Sequence, residues 1–152
     1  MKKVLFGFAI IISCSAFAQD IDFKKGNILV DDKECMKYES DALTVTFKDK
    51  GGEDLIILRY IKANGVDYNK VIFVNAKKEL SASNFIFTKK LLFDRLMRAG
   101  VIKDCALHED KIDNFILKYD EKVEERLNNT NTNTVIIQDS KPRNGVNISF
   151  GR

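Results

Sequence analysis

Short apolar stretches that alternate with polar residues, each closed by a tight-turn signal, constrain this chain more than any other feature. "LTVTF" (Leu43 to Phe47) puts apolar and threonine side chains on opposite sides of an extended backbone, so one face is buried and the other wet. "DKGGED" supplies glycines for a hairpin turn, and "LIILRYI" follows as a more buried strand. "KVIFV" (Lys70 to Val74) comes after the "NGVDYN" loop. Upstream, "IDF" alternates, and "NILV" and "ECMKY" flank "DDK" as a tight turn. Strands this short, joined by turns this short, predict an antiparallel meander of about five or six strands rather than a βαβ fold.

Helices follow. Thr88 is the expected N-cap of a helix over Lys89 to Ala99, and Gly100 stands where a left-handed C-cap is favoured. Leu92, Leu96 and Ala99 line one side, widened by Phe93 and Met97. From Glu109 to about Leu127, the residues Ile112, Phe115, Ile116, Tyr119 and Val123 recur at spacings of three and four and form one apolar face. Asp113, Lys118, Glu121, Glu124 and Glu125 form its solvated side. The fold class is therefore α+β: a meander followed by two helices packed on one sheet face. The domain spans 19–127.

The start of the chain has the layout of a secretory signal peptide over residues 1–18. "MKK" is basic, "VLFGFAIII" is apolar, and Ala16-Phe17-Ala18 is a small-x-small site, so cleavage is expected between Ala18 and Gln19. The apolar run is too short for a membrane span, and no later stretch approaches the ~18 residues one needs. A competing processing site ends at Cys14, which would be acylated and would tether the protein to a membrane surface. The expected location is the periplasm or the exterior, with a membrane-anchored lipoprotein as the alternative.

Loss of the leader takes Lys2 and Lys3 with it and lowers the net charge from +3 to +1. A near-neutral exported chain lacks the strong basic patch that nucleic acid requires. Eight of the eleven phenylalanines lie beyond the leader, enough bulk for one core. Residues 128–152 open with "NNTNTNT", a polar low-complexity run that buries nothing. "VIIQ" and "VNISF" around "DSKPRNG" then form a loose tail or a late hairpin. Asn128-Asn129-Thr130 and Asn147-Ile148-Ser149 match the glycosylation sequon, which carries no weight behind a bacterial-type leader.

"DCALHED" (Asp104 to Asp110) looks most like chemistry. Cys105 and His108, with Glu109 or Asp110 and Cys35, would be the ligands of a metal site. Structural zinc sites show paired ligand clusters, and this chain has one histidine. Cysteine–histidine catalysis needs the two groups within hydrogen-bond reach and a third to orient them, and a separation of three residues at a helix start is a poor arrangement. The favoured reading is helix entry: His108 as N-cap, Leu107 packed on Ile112 as a hydrophobic staple, and two acids at the positive end of the helix. No catalytic set, cofactor or metal is assigned.

Cys35 and Cys105 are a candidate disulfide, since exported proteins meet an oxidising compartment. Alternation opposes the bond: Met36 and Tyr38 read as the core side, which puts Cys35 with Lys37 on the other. Two unpaired, partly buried thiols remain the other possibility.

"GGEDL" (Gly51 to Leu55) resembles the Gly-Gly-acid-acid-aromatic hairpin of diguanylate cyclases over five residues, with leucine in place of the aromatic. A turn between two strands accounts for it, and an exported domain meets no nucleoside triphosphate.

Three functions are open. The first is a non-catalytic envelope module that binds a protein, a peptide or a small apolar ligand through a sheet face or edge strand. The second is a periplasmic immunity or inhibitor protein with an acidic or aromatic patch. The third is a small hydrolase in which carboxylates such as Glu53, Asp54, Asp104 and Asp110 converge. Tyr60, Tyr68 and Phe73 are candidate exposed anchors, although aromatics in strands are more often core.

Overall fold

Alternating side chains build one sheet and decide which of its faces is covered. A computed structural model describes residues 19–132 of the chain. The strands are β1 (Ile21–Lys24), β2 (Asn27–Val30), β3 (Lys33–Ser40), β4 (Thr44–Lys48), β5 (Asp54–Ala63), β6 (Val66–Phe73) and β7 (Lys78–Ser83). They pair antiparallel in chain order, so the meander has seven strands rather than five or six. The added strand is β7, "KELSAS", which lies beyond the last stretch expected to be a strand. Three hairpins close through two-residue turns with both residues at positive φ: Lys25-Gly26, Asp31-Asp32 and Asn64-Gly65. Such turns match the right-handed twist of the strands they join.

On the inner face, Ile28, Met36, Phe47, Ile56, Leu58, Val71, Phe73 and Leu80 are buried. Helix α1 (Lys89–Arg98) covers it with Leu92, Phe93 and Leu96, and Phe93 meets the Phe47 ring edge-on at 5.7 Å. Thr88 caps α1 as expected, its Oγ1 accepting the Leu91 amide at 3.2 Å. Gly100 ends it at φ 71°, while the Val101 amide donates back to the Leu96 carbonyl.

The connection to the next helix differs from expectation. Ile102–Lys103 (β8) and Ala106–Leu107 (β9) form a small hairpin whose turn is Asp104-Cys105, at φ 52° and 60°. His108 precedes a 3-10 turn, Glu109–Lys111, and its side chain caps no amide. Helix α2 (Ile112–Tyr119) therefore begins at Ile112, and Ile112 and Phe115 are buried against the sheet.

The long helix expected over 109–127 is broken. After Tyr119 the chain runs along the edge of β7: the Ser81 amide donates to Asp120 Oδ1 at 2.9 Å, and the Glu121 amide donates to the Ser81 carbonyl at 2.8 Å. These bonds satisfy groups that an edge strand would leave unpaired. Lys122, at φ 52°, then turns the chain around the edge into α3 (Val123–Thr132). The Val123 amide donates to Ser81 Oγ, and Glu124 meets Tyr68 and Lys70, all on the strand positions opposite the core. The helices are thus not confined to one sheet face. Helix α3 also carries past Asn128, so the expected domain boundary falls inside it. The leader, Ala18, Cys14 and the expected tail or late hairpin beyond residue 132 lie outside the described residues.

Candidate functional site

Register places the outer face of the sheet in rows. One row runs Glu39, Thr46, Ile57, Ile72, Glu79 across β3 to β7, and the next runs Thr44, Arg59, Lys70, Ser81. Ile57, Ile61 and Ile72 are half-buried there, as are Thr44 and Thr46. Two lysines flank this centre, each clamped between two acids. Lys48 lies 3.0 Å from Glu39 and 3.1 Å from Asp54; Lys70 lies 3.1 Å from Glu79 and 2.8 Å from Glu124. The hydrogen bonds that Lys48 donates to Glu39 and Asp54 push its amine above its ordinary pKa. Burial works against the Lys70 charge, but the bonds to Glu124 and Glu79 outweigh it and raise that amine as well.

Between the clamped lysines, Arg59 is exposed and forms no ion pair among the described residues. Arginine at the centre of a mixed apolar and polar patch is a recurrent anchor of protein interfaces. Three hollows border this face. One of about 110 Å³ lies under the start of α3 among Lys70, Glu79, Ser81 and Glu124. A second, about 310 Å³, is lined by Ala63, Tyr68 and Leu127. The third, about 280 Å³, lies at Glu39, Ser40, Asp41, Thr44 and Thr46.

The residues singled out by sequence fall elsewhere. Cys35 and Cys105 are bonded, with S–S 2.07 Å and Cα–Cα 5.0 Å. The alternation that opposed this pair fails at one point: Ile28 pairs with Met36 and Leu29 with Glu34, which leaves Cys35 as the extra residue of a β-bulge. The bulge turns Cys35 to the inner side, where it and Met36 are both buried. Cys105 therefore has no thiolate to offer a metal or a substrate, and the Cys105–His108 alternative loses its sulfur ligand. Among the described residues, no three His, Cys, Asp or Glu side chains are grouped to hold a metal ion.

The four carboxylates do not come together. Asp54 is paired with Lys48 on the outer face, while Asp104 sits in the β8–β9 turn on the helical side. Asp110 pairs with Lys111 at 3.0 Å, which holds its carboxyl below the usual range, the opposite of a general acid. Glu53 lies in the β4–β5 turn, its amide donating to Asp49. Of the aromatics, Phe73 is buried in the core, Tyr60 packs on Phe85 and Tyr68 lies beneath α3, so none is an exposed anchor. Sequence reasoning missed Arg59. Its signal was the period-two placement of Ile57, Arg59 and Ile61 within a strand read as buried.

No family model, curated protein or solved structure matches the chain.

Proposed function

We propose that this protein is an exported, non-catalytic binding module of the cell envelope that engages a protein partner across the outer face of its sheet. One observation carries the reading: the inner face is closed by α1 and α2, whereas the outer face carries half-buried Ile57, Ile61 and Ile72 around Arg59, which forms no ion pair among the described residues. Apolar area beside an exposed arginine is the composition of an interface centre. The leader pattern of residues 1–18 and the Cys35–Cys105 bond both support export, because disulfides persist in oxidising compartments.

Site-specific photo-crosslinking in intact cells tests this reading. A photoreactive residue at Ile57 should give a discrete adduct that Arg59→Glu abolishes, while one at the exposed Lys103 on the helical side should not. Equal yields from the two positions would overturn it. Recovery of the chain from the cytoplasmic fraction with its leader intact would overturn the export part.

A further inference from the structure

A groove between α1 and α2, on the side of the molecule away from the outer sheet face, gathers more positive than negative charge among the described residues. It has a volume of about 330 Å³ and is lined by Leu91, Asp94, Arg95, Arg98, Lys118 and Tyr119, with Ala99 at its end. Three cations face one acid, and that acid is taken: Arg98 Nε lies 2.8 Å from an Asp94 carboxylate oxygen. Arg95 and Lys118 form no ion pair among the described residues.

Both unpaired cations converge on one phenol. Arg95 Nη1 donates to the Tyr119 hydroxyl at 3.0 Å, its guanidinium carbon lies 5.3 Å from the ring centroid, and Lys118 Nζ lies 5.4 Å from the same centroid. The back of the ring is fixed in the core, 4.7 Å from Phe115 and 5.8 Å from Phe87 between centroids. The hydroxyl is therefore held in place at the groove floor. Burial pushes the phenol up, but the Arg95 hydrogen bond and the charges of Arg95 and Lys118 outweigh it, leaving Tyr119 below its ordinary pKa. The groove therefore favours negative charge at this point.

We propose that this groove binds a carboxylate side chain of an acidic peptide segment. The arginine fork and the lysine supply donors for the carboxylate. Leu91, which is 36 % exposed, and Ala99 line the same groove and give the peptide's aliphatic carbons an apolar wall. A bare inorganic anion would leave that wall uncovered, which is why the geometry favours a peptide over free phosphate.

The experiment uses the mature protein and an octaglutamate peptide, with inorganic phosphate as the comparison. Two readouts are followed: heteronuclear NMR shifts, and the ultraviolet titration of the Tyr119 phenol. Saturable shifts at Arg95, Lys118 and Tyr119 are expected. So is an upward move of the Tyr119 titration, because a bound carboxylate offsets the charges that depress it. Lys118→Gln and Arg95→Gln should each weaken binding several-fold, and together tenfold or more, while Lys33→Gln, at an exposed position outside both faces, leaves it unchanged. Lys118 is exposed, so its substitution separates binding from folding. Absence of saturable shifts, binding indifferent to both groove substitutions, or phosphate binding as tight as the peptide would each overturn the proposal.

Discussion

Cys35 and Cys105 meet because one is the extra residue of a bulge in β3 and the other is the second residue of the two-residue β8–β9 turn. Each is a backbone irregularity, and the bond between them ties the connection after α1 to the second hairpin of the sheet. A cross-link spanning 70 residues limits the unfolded chain far more than the native one. Loop-closure entropy alone corresponds to about 4 kcal/mol. The protein should be two hydrogens lighter before reduction than after. Reductant, or Cys35→Ser with Cys105→Ser, should lower unfolding stability by about that amount in urea titrations. An unchanged midpoint would mean that the bond contributes nothing.

Asn69 is fully buried on the inner face of β6, and its Oδ1 accepts the Phe87 amide at 2.8 Å. That bond holds the segment joining β7 to α1. Its Nδ2 is buried with no hydrogen-bond partner among the described residues. Asn69→Ala removes the acceptor and strands a buried amide, a loss of about 1–3 kcal/mol. Thermal unfolding measures the loss, and faster exchange of the Phe87 amide should accompany it.

Ser81 is the point at which the chain is fastened to the β7 edge, through its amide, its carbonyl and its hydroxyl. Ser81→Ala leaves the first two and orphans the buried Val123 amide. The expected cost is about 1–2 kcal/mol. The amides of 123–127 should exchange faster, with those of α1 unaffected. Uniform acceleration across both helices would contradict a local clasp.

Lys48 and Lys70 have folded pKa values raised above the ordinary 10.5, and Tyr68, first through burial and then through its bond to Glu124, is raised above 10.0. A raised folded pKa contributes stability that is complete below the unfolded value and lost as pH rises through the folded one. The clasp around Glu124 should therefore weaken on the alkaline side, above about pH 10, and hold below it. Lys70→Met should flatten the fall in melting temperature between about pH 9 and 12.

Phenol ionisation should proceed in a set order. Tyr119 lies below its ordinary pKa, while Tyr60, through burial, and Tyr68 lie above theirs. Tyr119 should ionise before those two in an ultraviolet titration, and Tyr119→Phe should delete that early step. Arg95→Gln should move the step to higher pH without deleting it.

Local signals carried well where one residue type has one physical use. Thr88 and Gly100 marked the ends of α1 because a hydroxyl cap and a left-handed C-cap are short-range requirements. The outer face was legible only in part. Threonines in β4 announced a wet side, but Arg59 stands in a run apolar enough to read as buried, and only register sets it between Thr44 and Lys70. The Arg95–Tyr119 pair was not legible, because 24 residues separate its members and helix packing alone joins them.

By itself, then, the sequence determined that a run of short strands precedes the helices, that the strands form an antiparallel meander, and much of the inward set of apolar side chains. These follow from turn chemistry and from periods of 2 and 3.6, which act over a few residues. Tertiary structure alone decided where those periods fail. A single extra residue turns Cys35 inward beside Met36. Another, at Leu55, does the same beside Ile56. Helix α2 stops at Tyr119 because the exposed edge of β7 offers the next residues hydrogen bonds that a continued helix would leave unmade. Bulges and edge pairing depend on the partner strand, and a pattern along one chain carries no record of its partner.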